Sequence, residues 1–165
     1  MSNIRLIEQS DLNAVDEIYN QAIRAKFSTA HTVPLSGEER RTWFREHDPA
    51  TFPVYVYEEN AVVAGFVFFS PYRKGRKALQ STAEISYYVH NGFHRRGIAT
   101  RLMEHAILKA PELSFKTLIA ILIDPNTASI ALLEKFGFVL WGNMPGILEV
   151  DGGKYNHLYY GLHLP

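Results

Sequence analysis

The chain begins with a short alternation of polar and apolar residues and then changes to a helical spacing. Residues 4–6 show the period of two that is typical of a half-buried strand. Ser10 or Asp11 follows as the candidate N-cap of a helix. The apolar positions after it recur at helical intervals, at Leu12, Val15, Ile18, Tyr19, Ala22 and Ile23.

The rest of the pattern predicts one continuous domain. Ser36 and Glu39 have the spacing of a capping box, which indicates a second helix. We then expect, in order, strands at 53–57, 61–70 and 82–89, a helix at 97–110, a strand at 118–123, a helix at 126–136, and strands at 138–141 and 154–162. A Gly/Pro-rich loop should join the last two strands. The order β-α-α-β-β-β-α-β-α-β-β predicts a single mixed α/β domain over residues 1–165.

Composition narrows the function classes. The chain has 165 residues, 17 basic and 17 acidic side chains and no cysteine. A net charge of zero gives no global attraction to nucleic acid or to an anionic membrane. Without cysteine there is no disulfide, no thiolate metal site and no cysteine nucleophile, and the seven histidines show no metal-ligand spacing. Neither a signal peptide nor a spanning apolar run is present, so we expect a cytoplasmic protein.

The most informative segment joins the strand at 82–89 to the helix that begins at Gly97. A helix N-terminus carries free N–H groups and a partial positive charge, which suit an anion. Gly97 lets a phosphate approach the backbone closely, and Arg95 and Arg96 add charge. The alternative is a loop glycine beside two solvated arginines. The P-loop and dinucleotide-binding glycine motifs are both missing.

Two motifs resemble those of the GNAT N-acetyltransferases. The run HRRGIA at residues 94–99 resembles the family's pyrophosphate loop, [QR]-x-x-G-x-[GA], with His94 in place of the usual Gln or Arg. The run NTASIALLEKFGF at residues 126–138 resembles its second cofactor segment. The resemblance implies a mostly antiparallel sheet flanked by helices. It also implies acetyl-coenzyme A as cofactor, bound by Tyr88, Val89, His94, Arg95, Arg96, Gly97, Ile98, Ala99, Thr100, Asn126 and Ser129.

Within that family the chain is most similar to the phosphinothricin N-acetyltransferase-like group, at residues 19–20, 36–40, 43–44, 70–72, 82–84 and 88–89. This implies a small amine as substrate, with an acidic end bound by the basic segment before the strand at 82–89. The implied substrate-binding residues are Arg73, Lys74, Arg76 and Thr82. A solvated basic loop is the alternative. The group is often dimeric, so we expect a homodimer.

Glu84 is the predicted catalytic residue. Its strand leads into the centre of the fold, where a carboxylate is costly unless it is paired or functional. An amine with a reference pKa of about 8 to 10.4 is mostly protonated at neutral pH, so a general base is needed. The alternative is a carboxylate that forms a salt bridge with a neighbouring Arg or Lys.

The sequence does not decide which residue donates a proton to the departing thiolate. Many relatives have Tyr or His at the position of Leu133, and leucine cannot donate a proton. Either the thiolate leaves unassisted, or the role passes to Tyr87, Tyr88, His157 or Tyr159. Tyr155, His157 and Tyr159 share one face of the last strand, as an aromatic core face, a dimer contact or a pocket wall. Trp43 and Trp141 are expected in the core.

Two other functions compete with a small-molecule acetyltransferase. A protein N-terminus or lysine could be the acceptor, if the loops at 26–35 and 144–153 leave an open groove. A coenzyme A-binding regulatory module without catalysis would also fit the unusual His94 and Leu133.

Overall fold

The computed structural model describes residues 1–165 as a seven-stranded sheet with helices on both faces. The strand order is β1-β2-β3-β4-β5-β7-β6. The strands are β1 (Ser2–Leu6), β2 (Val54–Glu59), β3 (Val62–Pro71), β4 (Thr82–Val89), β5 (Thr117–Ile123), β6 (Val139–Val150) and β7 (Gly153–His163). The helices are α1 (Leu12–Arg24), α2 (Gly37–Glu46), α3 (Ile98–Lys109) and α4 (Thr127–Lys135). The predicted element order and fold class are confirmed.

Alternation along the strands produces two cores. On β2, Val54 and Val56 join a cluster with α1, whereas Tyr55 and Tyr57 join the larger cluster that contains α3. Successive strand residues point to opposite faces, so a strand covered on both sides must be apolar throughout. None of the helices is long and apolar enough to cross a bilayer.

Local signals in the sequence fix several boundaries. The predicted capping box is formed, since the Ser36 hydroxyl accepts from Glu39 N and the Glu39 carboxylate accepts from Ser36 N. The hairpin turn between β2 and β3 is formed by Asn60 and Ala61, which both have positive φ. Gly137 follows α4 with φ +83°, as expected for the residue that ends a helix.

The prediction of a Gly/Pro-rich loop between the last two strands is wrong. Residues 144–150 continue β6, which forms a long hairpin with β7. Because β6 is an edge strand, it can hold Pro145, and the register shifts between Met144 and Leu148 absorb the irregularity. The expectation that Trp141 lies in the core is also wrong, since it is 46% exposed on this edge. Residues 144–150 are therefore not part of a loop that could narrow a groove for a peptide acceptor.

The sheet forks in its centre. Strands β4 and β5 are the one parallel pair, and they pair only from Thr82–Thr117 to Glu84–Ile119. Beyond that point β4 continues against β3 and β5 continues against β7. The two strands therefore separate after Glu84 and open a gap within the sheet.

Gly65 allows α3 to pack closely on the sheet beside this gap. A Cβ at Gly65 would lie 3.0 Å from the Tyr88 carbonyl oxygen and 3.2 Å from side-chain atoms of Ile98 and Leu102. We predict that Gly65→Ala lowers the free energy of unfolding by about 1–3 kcal/mol, because a backbone atom and two buried side chains must shift. Urea unfolding measures this change.

Gly142→Ala is the matched control. It also lies in a strand, but its nearest non-neighbouring atom is Tyr159 Cβ at 3.7 Å, an ordinary contact. The control should change stability by less than about 0.5 kcal/mol. Equal stability of the two variants would contradict the packing argument.

Candidate active site

The start of α3 presents unpaired backbone donors. Arg95 and Gly97 both have positive φ, at 61° and 75°, and turn the chain sharply into the helix. The first helical hydrogen bond runs from Arg101 N to Gly97 O at 3.1 Å, so the N–H groups of Ile98, Ala99 and Thr100 have no partner in the helix. A side chain at Gly97 would meet no protein atom within 4 Å, which leaves space for an anion.

These donors line a cleft of about 500 Å³, here called the Gly97 cleft. Ten of the eleven predicted cofactor-binding residues line it: Tyr88, Val89, His94, Arg95, Gly97, Ile98, Ala99, Thr100, Asn126 and Ser129. Arg96 does not line it. Its guanidinium forms an ion pair with Glu59 at 2.6 Å and lies over the ring of Phe93.

Two of the predicted cofactor-binding residues also form hydrogen bonds within the protein. A ring nitrogen of His94, Nε2, lies 3.0 Å from the Val89 carbonyl oxygen and ties the loop to the end of β4. Asn126 Oδ1 accepts from Ser129 N at 3.3 Å and caps α4. Such contacts hold both ends of the cleft in place.

Sequence reasoning missed the contribution of α1 to this cleft. Gln21 is buried, its Oε1 accepts from Asn91 N at 2.8 Å, and its Nε2 donates to Glu17 at 3.1 Å. Gln21 thereby fastens the loop after β4 to α1. The signal was available, because Gln21 lies three residues after Ile18 on the apolar face of the helix.

A second cleft of about 880 Å³, here called the Glu84 cleft, lies on the other side of β4. Glu84 and Ser86 line it from β4, and Ile121 and Ile123 line it from the diverging part of β5. Tyr88 and Ser28 line both clefts, so the two meet at the fork.

Glu84 has no cationic partner. None of the ion pairs or side-chain hydrogen bonds includes its carboxylate. Burial raises the pKa of Glu84 above its usual value of 4.5. The salt-bridge alternative is therefore wrong for this residue.

The Glu84 cleft also contains a buried guanidinium. Arg40 is 3% exposed, donates from Nε to Asp16 at 2.7 Å, and lies over the rings of Tyr19 and Trp43. Its Nη2 is buried without a hydrogen-bond partner. Trp43 is half-buried: it packs against the core cluster that contains α1, as predicted, and it also lines this cleft. Sequence reasoning did not single out Arg40 as a binding residue.

The four predicted substrate-binding residues lie together, and one of them also reaches the Glu84 cleft. Lys74 lines the Glu84 cleft. Arg73, Lys74, Arg76 and Thr82 all line an adjacent cavity of about 530 Å³, here called the basic cavity. Phe52, Pro71 and Lys74 belong to both, so the two cavities are continuous. None of the four residues takes part in an ion pair.

The candidate thiolate donors lie in different places. Tyr87 and Tyr88 line the Gly97 cleft, and His157 lines the Glu84 cleft. Tyr159 packs against His157, with ring centroids 5.3 Å apart. Tyr155 packs against Phe27 instead, so the three residues of β7 do not form one pocket wall.

Known proteins resemble this chain over nearly its full length. YwnH of Bacillus subtilis, whose name assigns it provisionally to the phosphinothricin acetyltransferases, is 39% identical over 98% of both chains. The L-amino acid N-acyltransferase MnaT of Escherichia coli is 30% identical over 88% of this chain and 84% of its own. An L-methionine sulfoximine/L-methionine sulfone acetyltransferase of Salmonella typhimurium is 29% identical over 87% and 84%.

Solved structures agree with the fold. The acetyltransferase yncA from Salmonella typhimurium, solved with its cofactor acetyl-CoA, superposes with a TM-score of 0.94 at 27% identity, over 100% of this chain and 95% of its own. A ribosomal-protein-alanine N-acetyltransferase from Brucella melitensis has a TM-score of 0.93 at 28% identity, over 98% and 99%. The model of the Acetyltransferase (GNAT) family matches residues 14–138, and the chain belongs to that family.

Proposed function

We propose that this acetyltransferase moves an acetyl group from acetyl-coenzyme A to the primary amine of a small, acidic, amino-acid-like acceptor, with Glu84 as the general base. The single observation that carries the proposal is the meeting of the two clefts at Tyr88, beside the fork that starts at Glu84. One cleft offers anion-binding amides and the other offers an unpaired carboxylate. An acetyl donor in one cleft and an acceptor amine in the other would therefore meet at β4.

The Gly97 cleft fits acetyl-coenzyme A. The free N–H groups of Ile98, Ala99 and Thr100 suit a diphosphate, and Arg95 adds charge. Val89 at the end of β4 would pair with the pantetheine arm, and Asn126 and Ser129 would close the far side. Acetyl-coenzyme A supplies an activated acetyl thioester to the fork.

Glu84 supplies the proton acceptor. The acceptor amine must lose a proton before its nitrogen can bond to the thioester carbon. A carboxylate without a cation, whose pKa is raised by burial, is a stronger base than an ordinary glutamate. Direct attack of the amine needs no acyl-enzyme, which agrees with the absence of cysteine.

Replacing Glu84 by Gln tests this role. We predict that Glu84→Gln lowers kcat/KM by about 10²- to 10⁴-fold, the range of general-base catalysis, with little change in acetyl-coenzyme A affinity by calorimetry. In the wild type, kcat/KM should fall as the pH drops through the raised pKa of Glu84, because the protonated carboxyl cannot accept a proton. The variant should lose this acidic limb.

Two results would contradict catalysis by Glu84, one in the variant and one in the wild type. Unchanged turnover in Glu84→Gln would exclude Glu84 as the base. A wild type that binds acetyl-coenzyme A but acetylates no amine would support the module without catalysis.

The charges of the Glu84 cleft support an acidic acceptor. Lys74 lies at its junction with the basic cavity, and buried Arg40 offers an unpartnered nitrogen in its wall. Guanidinium and ammonium groups recognise carboxylates and phosphinates. Relatives named for amino-acid and sulfoximine substrates agree with this class.

A protein N-terminus is the second candidate acceptor. The structural similarity to a ribosomal-protein-alanine N-acetyltransferase favours it. A peptide acceptor needs an open groove. The segment at 144–150 forms a strand of the β6–β7 hairpin, so it is not a loop that narrows such a groove.

A thiol-release assay with a panel of acceptors distinguishes these candidates. We predict turnover with methionine sulfoximine or phosphinothricin, and a KM about tenfold higher in Lys74→Met, because a charged hydrogen bond is lost. Lys77→Met is the control, since Lys77 lines the basic cavity but not the Glu84 cleft. A preference for polyamines would contradict an acidic acceptor, and a preference for peptides would favour the second candidate.

We also propose that the protein is cytoplasmic and forms a homodimer through β6. This edge strand exposes large apolar side chains: Val139, Leu140, Trp141, Met144 and Ile147. Exposed apolar patches of this kind mark interaction surfaces.

Sedimentation velocity tests the dimer. We expect a dimer for the unaltered chain and a shift to monomer for Leu140→Lys, because a charge on the buried side of an interface is unfavourable. Leu108→Lys, on an exposed position of α3, is the control and should leave the dimer intact. A monomer at every concentration would exclude this interface.

A further inference from the structure

A histidine and a serine form a hydrogen-bonded pair in the wall of the Glu84 cleft. His47 is the residue that ends α2, Ser70 lies on β3, and both line this cleft. His47 Nε2 lies 3.4 Å from the Ser70 hydroxyl oxygen, and His47 Nδ1 lies 2.7 Å from the Trp43 carbonyl oxygen. The imidazole also packs against the rings of Trp43 and Phe68, with centroids 4.6 Å and 5.3 Å away. Its orientation is therefore fixed by both nitrogen atoms and by two aromatic neighbours.

These contacts determine where the protons of the pair lie. A carbonyl oxygen can only accept, so His47 Nδ1 carries a proton and donates it to Trp43. Burial lowers the pKa of His47 below its usual value of 6.5, with the Trp43 carbonyl group opposing the change, so the ring is mostly uncharged near neutral pH. In such a ring Nε2 is a hydrogen-bond acceptor. The Ser70 hydroxyl therefore donates its one proton to His47, and its oxygen keeps lone pairs for another donor.

Ser70 lies directly beside Glu84 on the neighbouring strand. The β3–β4 register pairs the two residues, so their side chains point to the same face of the sheet, with Cβ atoms about 4.5–5.5 Å apart. The hydroxyl proton is directed to His47 instead of the Glu84 carboxylate. The cleft thus presents two oxygen atoms side by side that can each accept a hydrogen bond.

Two adjacent oxygen acceptors match the two N–H groups of an uncharged primary amine. While the nitrogen lone pair points to the thioester carbon, one N–H can point to Glu84 and the other to Ser70. A secondary amine has a single N–H at that moment, so its alkyl group would lie against one of the two oxygens. Leaving a polar group in a site without its partner is costly.

Other polar groups of the cleft do not offer the same contact. The Arg40 guanidinium can only donate. Ser86 lies opposite Phe68, and none of the hydrogen bonds made by histidine side chains directs its hydroxyl proton. His157 pairs with the last residue of β5, whereas Glu84 pairs with the third, so the two lie at different levels of the sheet.

We propose that the Ser70 hydroxyl, oriented by His47, accepts a hydrogen bond from the substrate amine and makes the site selective for primary amines. This inference rests on the proposed acetyl transfer with Glu84 as the base. Ser70 touches the reacting nitrogen, and His47 acts through Ser70 as a positioning residue.

The second N–H remains on nitrogen throughout the transfer. The nitrogen lone pair forms the bond to the thioester carbon, and one N–H proton passes to Glu84. The carbon–sulfur bond breaks with its electron pair on sulfur, and the thiolate takes a proton from solvent. Glu84 returns its proton to solvent, and Ser70 keeps its own. The N–H that Ser70 holds becomes the amide N–H of the product.

The test compares a primary amine with its N-methyl form. Methionine sulfoximine and its α-N-methyl derivative are the two substrates, and mass spectrometry of the acetylated products gives kcat/KM for each. We expect Ser70→Ala to lower kcat/KM about tenfold for the primary amine and to leave it nearly unchanged for the N-methyl form, because only the primary amine uses Ser70. The preference for the primary amine should therefore fall about tenfold. Ser70→Thr, which keeps a hydroxyl, should retain it.

His47→Phe tests the positioning role. Phenylalanine keeps a ring against Trp43 and Phe68 but removes the acceptor of the Ser70 proton. The preference for the primary amine should fall by about three- to tenfold. The double variant with Ser70→Ala should lose no more than Ser70→Ala alone, because His47 acts through Ser70. Additive losses would exclude this role.

Thr117→Val is the matched control. Thr117 Oγ1 lies 3.3 Å from His163 Nδ1 across β5 and β7, so the two form another hydroxyl–histidine pair, and Thr117 lines neither cleft. This variant should keep the preference of the wild type. An unchanged preference in Ser70→Ala would exclude the contact, and an equal loss with both amines would show that Ser70 only supports the cleft wall.

Failure of the proposed function gives different results. A wild type that acetylates peptides instead of methionine sulfoximine would overturn the acceptor class alone, and the same comparison would then use a peptide and its N-methylated form. A wild type that binds acetyl-coenzyme A but acetylates no primary amine would overturn the proposed acetyl transfer together with this inference.

Discussion

The separation of β4 from β5 after three residue pairs is the constraint on which the site depends. A sheet that paired along its whole length would place backbone hydrogen bonds where the two clefts now meet. Because pairing stops at Glu84 and Ile119, the β5-facing backbone groups of residues 85–89 in β4 are left without a partner strand. Unpaired backbone groups beside a cavity favour a ligand that can hydrogen-bond to them. The fork thus produces both a gap in the sheet and unpaired backbone groups that face it.

Because side chains alternate along β4, its residues line the Gly97 cleft on one side and the Glu84 cleft on the other. Even-numbered positions from Glu84 to Tyr88 face the cleft with the cationic groups, and Tyr87 and Val89 face the start of α3 and α4. Under the proposed function, this eight-residue strand contacts the acetyl donor on one side and the acceptor amine on the other. Helices on each face enclose these contacts, with α1 bordering both clefts.

Local features were predictable from the sequence, and long-range ones were not. The capping box at Ser36, the glycine at position 97 and the apolar run of β5 each depend on a few neighbouring residues, and the structure agrees with them. Arg96 was predicted to bind the cofactor, and the sequence did not reveal its ion pair with Glu59, because Glu59 lies 37 positions away in the chain. The β6 hairpin was hidden by Pro145 and Gly146, which resemble loop residues unless the edge position of the strand is known. The pairing of Arg40 with Asp16 depends likewise on how α2 packs against α1.

The hydrogen bond from Asn91 N to Gln21 Oε1 links the loop before α3 to α1. Because this bond fixes the start of the loop, the position of α1 affects the position of the free helix amides that line the Gly97 cleft. If the Gly97 cleft holds acetyl-coenzyme A as proposed, packing changes around Ile18 would alter the affinity for that cofactor without changing a residue that contacts it. Substitutions in this part of the apolar core would then be limited by cofactor binding as well as by folding.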